Sequence, residues 1–534
     1  MLESHLTVLE SSAARHSFSP VFKVPQLDLS SGCVESWASI SYQRFLSDVE
    51  FYARHWRRTF TRDGIPPKSV IGIWVGGFTY TDVLHIYGIS RAGYIPQLFS
   101  LRLPNPVVVY ELLQKADART LVYDPTYEHI LKDCLVPLHP AADLSVSDAD
   151  DDEDLPDISH LTPEDIAFVF HTSGSTSGSP KLVPCSFSWL NSTIEKSKQI
   201  CQPQTPGRQD VTVWMGSMCH IAQTFMLIGS LQHGSCVIQP TAITFPTTEL
   251  VDMIHRAGLN RLNQFATFLA KHLKASRNDS KLLTLLGGLD DILYSGLPLP
   301  REDEEWAFRN GLKLRNLFGS TECGAMLLSV GASGRNPALL QSLDGFNYRF
   351  VSTAPAASAG HQSTARLMEL IIPAESPDCP DISLRHADGD FHTGDLFQEA
   401  SPGLYVFRGR DDDWIKSENS LRCDTKAIED NALAMCGNLI AQCVVVGSGR
   451  PSPVMFIEPA SDMEPEKLKK EIIRKTRHFH SRRYLHERIT LTDMIVVVPP
   501  QSLPRTATKG NIRRKAVEEA FKPQIDSIFE RAAR

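Results

Sequence analysis

Twenty residues from Asp165 to Pro184, DIAFVFHTSGSTSGSPKLVP, restrict the fold more than any other part of the 534-residue chain. Ile166, Ala167, Phe168, Val169 and Phe170 form an apolar run of the length a buried strand needs. The run then breaks into Thr172, Ser173, Gly174, Ser175, Thr176, Ser177, Gly178, Ser179, Pro180 and Lys181. Glycines let a backbone turn its N–H groups inward, hydroxyls add donors, and a lysine adds a full charge. Together they suit a polyphosphate. A flexible Gly/Ser linker is the alternative, but a linker does not join a buried-strand pattern to Lys181, Leu182 and Val183. The GxxxxGK[ST] loop of common nucleotide hydrolases is excluded, because Pro180 precedes the lysine and Leu182 follows it.

TSGSTSGSPK resembles the phosphate loop of adenylate-forming enzymes, the superfamily of acyl-CoA synthetases, luciferases and nonribosomal peptide synthetase adenylation domains. The family spacing is TSG[ST]TGxPK, so this loop carries one extra residue. Further segments resemble the family's motifs in its order. NLFGSTECG, from Asn316 to Gly324, is similar to YGxTE. The resemblance implies that Asn316, Phe318, Gly319 and Ser320 border ATP and that Phe318 stacks on the base. Thr321 would hydrogen-bond a phosphate, and the Glu322 carboxylate would hold Mg²⁺, as hard cations prefer. FHTGDL, from Phe391 to Leu396, resembles the TGD motif and implies that Asp395 accepts from both ribose hydroxyls. YVFRGRDDDWIK, from Tyr405 to Lys416, resembles GRxDxxIK. It implies that Arg410 reaches ribose or phosphate and that Asp412 is a hinge.

Three more segments bear on the acid and the lysine. DILYSGLP, from Asp291 to Pro298, resembles the strand-plus-glycine wall of the adenine and acyl sites, with Ser295, Gly296 and Leu297 as its lining. WMGSMCHIAQT, from Trp214 to Thr224, places His220 where the family carries an aromatic or histidine of the acyl pocket. Without the resemblance, His220 reads as a packed core histidine. Amino-acid-activating relatives follow this position with an aspartate for the substrate ammonium; here Ile221 follows. A buried ammonium without a carboxylate is costly, so the expected substrate is an acid lacking an α-amine, an aryl acid first of all. LPRTATKGNIRRK, from Leu503 to Lys515, resembles the PxTxxGKIxR loop, but Asn511 stands where the family places its lysine. Lys509 is assigned that role, because a long flexible stem recovers a two-residue shift. Lys515 is expected on the helix that follows, as a surface charge.

The rest of the chain fits an α/β class. Tyr42, Phe45, Val49, Tyr52 and Trp56 recur at helical spacing. Val70–Val75, Thr120–Tyr123, Ala441–Gly447 and Ile495–Val498 read as strands; 83–91, 466–477 and 512–521 read as helices. GISRAGYIPQLFS, from Gly88 to Ser100, resembles the family's AGxxP segment. Such a length needs more than one core. A large multi-subdomain core over residues 1–408 is expected to hold ATP and the acid, and a small α+β lid over 409–534 to supply the lysine. A net charge of −8 excludes a general nucleic-acid binder. Eight acidic residues between Asp143 and Asp157 read as a solvated loop. Eleven cysteines without a CxxC pair suggest reduced thiols in a cytoplasmic setting, and no apolar run approaches the roughly 18 residues of a membrane span.

The overall pattern is most like adenylation domains of fungal synthetase-like enzymes and carboxylic acid reductases. It implies activation of a carboxylic acid with ATP and Mg²⁺, release of pyrophosphate, and transfer to the phosphopantetheinyl thiol of a carrier domain. No [LI]GxDS[LI] carrier motif occurs in the chain. Two alternatives stay open: a ligase that uses free CoA, and a non-catalytic ATP-binding module suggested by the extra loop residue and the altered lysine loop.

Overall fold

A computed structural model describes residues 2–28, 30, 32–101, 103, 105–144, 154–172, 181–331, 336–353, 367–411, 414–416, 422–481, 483, 487–505 and 511–532. The helix expected from the Tyr42 spacing runs Tyr42–Arg62, with the Ser41 side chain accepting from the Arg44 N–H as its cap. It buries Tyr42, Phe45, Val49, Tyr52 and Trp56, the stripe that predicts it.

Two sheets carry the long amino-terminal part. The first has six strands in the order Leu138–Pro140, Thr120–Tyr123, Val70–Val75, Ile95–Ser100, Ile166–His171 and Leu182–Ser186. The first five run parallel and the last is an antiparallel edge. Parallel strands are covered on both faces, which explains why VIGIWV and IAFVF are apolar without alternation. The second sheet has thirteen strands. At its centre Val211–Val213, Arg261–Phe265, Asp291–Ser295 and Leu314–Ser320 lie parallel. Beyond Leu314–Ser320 the sheet turns antiparallel, through Gly324–Ser329 and Leu340–Ser342 to the hairpin of Phe391–Ser401 and Leu404–Arg410.

The two sheets meet at a backbone seam. The Ser217 hydroxyl donates to the Gly76 carbonyl at 2.7 Å, and the Met218 N–H to the Gly77 carbonyl at 2.6 Å. Gly77 sits at φ +64°, where a Cβ would lie 2.4 Å from Ser217 Oγ and 2.9 Å from the backbone nitrogens of Met218 and Cys219. Only glycine fits both the left-handed backbone and the contact.

The carboxyl-terminal part folds around its own core. Ile440–Val446, Val454–Pro459 and Ile495–Val497 form a three-stranded sheet, packed with helices Thr425–Cys436 and Pro465–Ser481 through Ile428, Ile440, Val445, Leu468 and Ile472. The helix expected from Ile512 begins instead at Arg514, because Ile512 bridges Arg505 in extended conformation and Arg513 becomes the cap. Lys515 is exposed on that helix. None of the eleven cysteines forms a disulfide: Cys33 is exposed, Cys134 half-buried and the other nine buried. Among the described residues no helix is long and apolar enough to cross a membrane.

Candidate active site

The polyphosphate-type loop hangs from a hairpin. Ile166–His171 pairs antiparallel with Leu182–Ser186, from Ile166↔Ser186 to His171↔Leu182. The Thr172 N–H donates to the Lys181 carbonyl at 2.9 Å and closes the mouth of the loop. Ser173, Gly174, Ser175, Thr176 and Gly178 lie outside the described residues, as do Asp412 and Lys509.

Glu322 occupies the turn of a second hairpin. Leu314–Ser320 and Gly324–Ser329 pair antiparallel, with Thr321, Glu322 and Cys323 between them. The strands approach so closely at the tip that a Cβ on Gly319 would lie 2.5 Å from the Gly324 carbonyl oxygen. The Ser320 hydroxyl is used within the turn, accepting from the Cys323 N–H at 3.2 Å. The Asn316 N–H donates to Ser329 Oγ at 2.8 Å.

The turn is gripped from below by one helix. Trp189 Nε1 donates to the Glu322 carbonyl at 3.1 Å, and Lys196 Nζ to the Cys323 carbonyl at 2.9 Å. Both belong to the helix Phe187–Ile200, which starts directly after the Leu182–Ser186 arm. Lys196 also pairs with Asp378, and both are fully buried. Tyr348 Oη donates to Asp378 Oδ2 at 2.6 Å. Burial pulls the Lys196 pKa down against the opposing pull of Asp378. Sequence reasoning missed Trp189, Lys196 and Asp378: a lysine within a helix reads as a solvated charge, and its partner lies 182 residues away.

Asp395 and Arg410 face each other across the Phe391–Ser401/Leu404–Arg410 ladder, with Nη1 3.7 Å from Oδ1. The strand residues just before Asp395 are tied on both sides. Thr393 Oγ1 donates to the Leu370 carbonyl at 2.7 Å and accepts from the Asp395 N–H at 3.0 Å. Gly394, at φ +70°, donates its N–H to Glu369 Oε1 at 3.1 Å. The neighbouring His392 lies between Glu369 and Asp388. Burial opposes charge on His392, but its hydrogen bonds to those carboxylates outweigh burial and raise its pKa. Phe318 links this ladder to the Glu322 hairpin, its ring 5.1 Å from those of both Phe397 and Phe407.

The third neighbourhood surrounds His220. It caps the helix Ile221–Gln232, its Nδ1 accepting from the Ala222 N–H at 3.2 Å. An accepting Nδ1 leaves the proton of the neutral ring on Nε2. The ring meets Phe265 edge-on at 6.1 Å. Phe265, a residue without a motif to betray it, stands where a Cβ on Gly216 or Gly296 would lie 3.0 Å from its ring. Both glycines therefore make room for one aromatic. Ser295 Oγ donates to the Leu317 carbonyl at 2.7 Å. Ile221 packs in the core at 5% exposure, whereas Leu297 is 56% exposed.

No three His, Cys, Asp or Glu side chains gather as a metal cage among the described residues. A single carboxylate on a rigid turn fits Mg²⁺ better than a dedicated cage does, because Mg²⁺ keeps waters and phosphate oxygens as most of its ligands.

A family model described as AMP-binding enzyme matches residues 11–343, and one described as AMP-binding enzyme C-terminal domain matches residues 412–533. The chain belongs to the AMP-binding enzyme family. This AMP-binding enzyme is an adenylate-forming, acid-activating protein with a large amino-terminal core and a small carboxyl-terminal domain. It is 36% identical to the AMP-binding domain-containing enzyme iboA of Amanita muscaria (strain Koide BX008), over 94% of this chain and 99% of that protein. It is 22% identical to the adenylate-forming reductase Nps10 of Heterobasidion annosum, over 86% of this chain but only 44% of the reductase. Among solved structures, O-succinylbenzoate coenzyme A synthetase of Bacillus subtilis in complex with ATP and magnesium shares the fold. The TM-score is 0.74 at 14% identity, over 96% of this chain and 99% of that one. ATP-bound MatB from Rhodopseudomonas palustris has a TM-score of 0.71 at 17% identity, over 98% and 99%.

Proposed function

We propose that this AMP-binding enzyme joins a carboxylic acid without an α-amine, an aryl acid first of all, to AMP, and then passes the acyl group to a thiol. The observation that carries the reading is the joining of the Glu322 hairpin to the Asp395–Arg410 ladder through Phe318. That packing ties the strand before Glu322 to the ladder of Asp395, which supports reading the first carboxylate as a metal holder and the second as a ribose acceptor in one nucleotide site.

In the proposed reaction the substrate carboxylate oxygen attacks the α-phosphorus of ATP. The bond from that phosphorus to the bridging oxygen breaks, and pyrophosphate leaves with the electron pair. Catalysis is then mainly positioning and charge stabilisation. The loop from Thr172 to Lys181 holds the leaving pyrophosphate, Thr321 hydrogen-bonds a phosphate, Glu322 holds Mg²⁺, and Asp395 accepts from the ribose hydroxyls while Arg410 braces it. Mg²⁺, when bound, draws negative charge off the phosphate oxygens. Lys509 supplies the charge that bridges carboxylate and phosphate. Residues 1–408 form the working core and 409–534 the lid, which turns at Asp412 between the two half-reactions.

His220 and Phe265 wall the acyl side, and Ile221 in place of an acidic residue disfavours an ammonium there. A phosphopantetheinyl carrier thiol is the proposed acceptor, and the reductase Nps10 and the non-canonical non-ribosomal peptide synthetase ascB among the relatives support that class. Free CoA is the competing acceptor. ATP–pyrophosphate exchange across aromatic, α-keto, aliphatic and α-amino acids tests the first half-reaction. A best response to a free α-amino acid overturns the substrate class, and no exchange with any acid favours a non-catalytic module. Adding CoA or a carrier to the best acid then separates the acceptors.

A further inference from the structure

The helix Phe187–Ile200 offers two donors to consecutive carbonyls of one turn. Trp189 and Lys196 are seven residues apart, so two helical turns place them on the same face. One takes the carbonyl of Glu322 and the other the carbonyl of Cys323. Neither side chain contacts the turn by accident of exposure. Lys196 is fully buried, and a buried ammonium persists only where its charge is met. Asp378 meets it, and Asp378 is itself fixed by Tyr348 Oη at 2.6 Å and by the Ser376 hydroxyl. The Phe346 ring lies 4.7 Å from Lys196 Nζ. The same helix begins where the Leu182–Ser186 arm ends, with Ser186 as its cap. It is therefore a strut from the base of that hairpin, the end away from Thr172 and Lys181, to the turn that carries Glu322.

We propose that Trp189 and the Lys196–Asp378 pair are positioning residues that set the direction of the Glu322 turn relative to the Ile166–His171/Leu182–Ser186 hairpin, so that its carboxylate meets the metal. This rests on the reading of Glu322 as the metal carboxylate. Clamping both carbonyls leaves the Glu322 backbone little rotation, and the side chain inherits that direction. Without the clamp the metal-free nucleotide still binds, but the metal adds less.

The test uses the full chain, with α,β-methylene ATP titrated by calorimetry in Mg²⁺ and again in EDTA. The readout is the gain in affinity that Mg²⁺ confers. Trp189→Phe keeps an aromatic ring and removes the donor together with the indole's second ring. Lys196→Met/Asp378→Asn removes both charges, so that no buried ion is left unpaired. We expect each to lose at least fivefold of the Mg²⁺ gain, with the affinity in EDTA changed less than twofold. A merely structural role lowers both affinities together, or only the unfolding temperature, and that result overturns the proposal. Trp189→Phe carries the test alone if the double variant does not fold. Glu322→Gln, run alongside, separates the two failures. If it loses the gain while Trp189→Phe and the double variant keep it, the strut is wrong and the Glu322 reading stands. If Glu322→Gln keeps the gain, the Glu322 reading falls and this proposal falls with it.

Discussion

Acid should unfold this protein in part through His5. The residue opens the first helix, His5–His16, and packs between Tyr87 at 4.9 Å and Phe168 of the phosphate-loop strand at 4.6 Å. It is fully buried, and among the described residues neither ring nitrogen has a hydrogen-bond partner. Burial alone lowers its pKa from 6.5 to about 3. The folded state thus keeps the ring neutral while the unfolded chain takes up a proton below 6.5. Stability from this site is complete above pH 6.5 and is lost progressively as the pH falls toward 3. At pH 4.5, two units below the ordinary value, the loss is about 3 kcal/mol. His5→Leu conserves bulk, removes the orphaned nitrogens and abolishes this proton uptake. Urea unfolding followed by tryptophan fluorescence at pH 7.5 and pH 4.5 measures it. The variant should match or exceed the parent at pH 7.5 and should lose about 3 kcal/mol less than the parent on acidification. Equal losses in parent and variant refute the reasoning, because they place the acid sensitivity elsewhere. His85, also lowered to about 3 by burial first and by His55 second, is the site to try next.

Other outcomes test the site and the scaffold. Glu322→Gln should slow ATP–pyrophosphate exchange by roughly 2–4 kcal/mol of barrier, about thirty- to a thousandfold, by analogy with a lost charge-stabilising contact; near-normal exchange at saturating Mg²⁺ rejects the assignment. Lys509→Ala should abolish adenylate formation yet still allow thiol transfer from a supplied acyl-adenylate. If Lys509→Ala is fully active and Lys515→Ala is not, the role passes to Lys515. Gly77→Ala should destabilise the seam between the two sheets by about 2–4 kcal/mol, through a left-handed strain and a backbone clash; an unchanged melting temperature argues that the seam yields without cost.

Local periodicity made much of the scaffold legible. Tyr42 to Trp56 repeat at helical spacing because one face must be buried, and Ile166–Phe170 is a continuous apolar run because both faces of its strand are covered. The Leu314–Ser320/Gly324–Ser329 hairpin is local in the same way, its strands being sequence neighbours drawn together at Gly319. What could not be read depends on distant partners. Lys196 carries no signal of burial until Asp378 arrives from 182 residues away. Phe265 ends an ordinary strand, and only the space left by Gly216 and Gly296 marks it. The late start of the Arg514 helix has the same origin, because Ile512 is held extended by its bridge to Arg505.

The distribution of thiols turns the molecule into its own stopwatch. Cys33 is open to reagent from the start and Cys134 partly so, whereas Cys423, Cys436 and Cys443 are sealed in the carboxyl-terminal part and Cys185, Cys201, Cys219, Cys236, Cys323 and Cys379 in the amino-terminal part. Burial pushes the thiols of Cys219 and Cys423 up to about 12, so at neutral pH they are protonated as well as shielded. A pulse of alkylating reagent followed by peptide mass mapping therefore times the opening of each part separately, with no engineered label. Counting three protected sites against six tells whether acid, heat or a ligand loosens the two parts together or one ahead of the other.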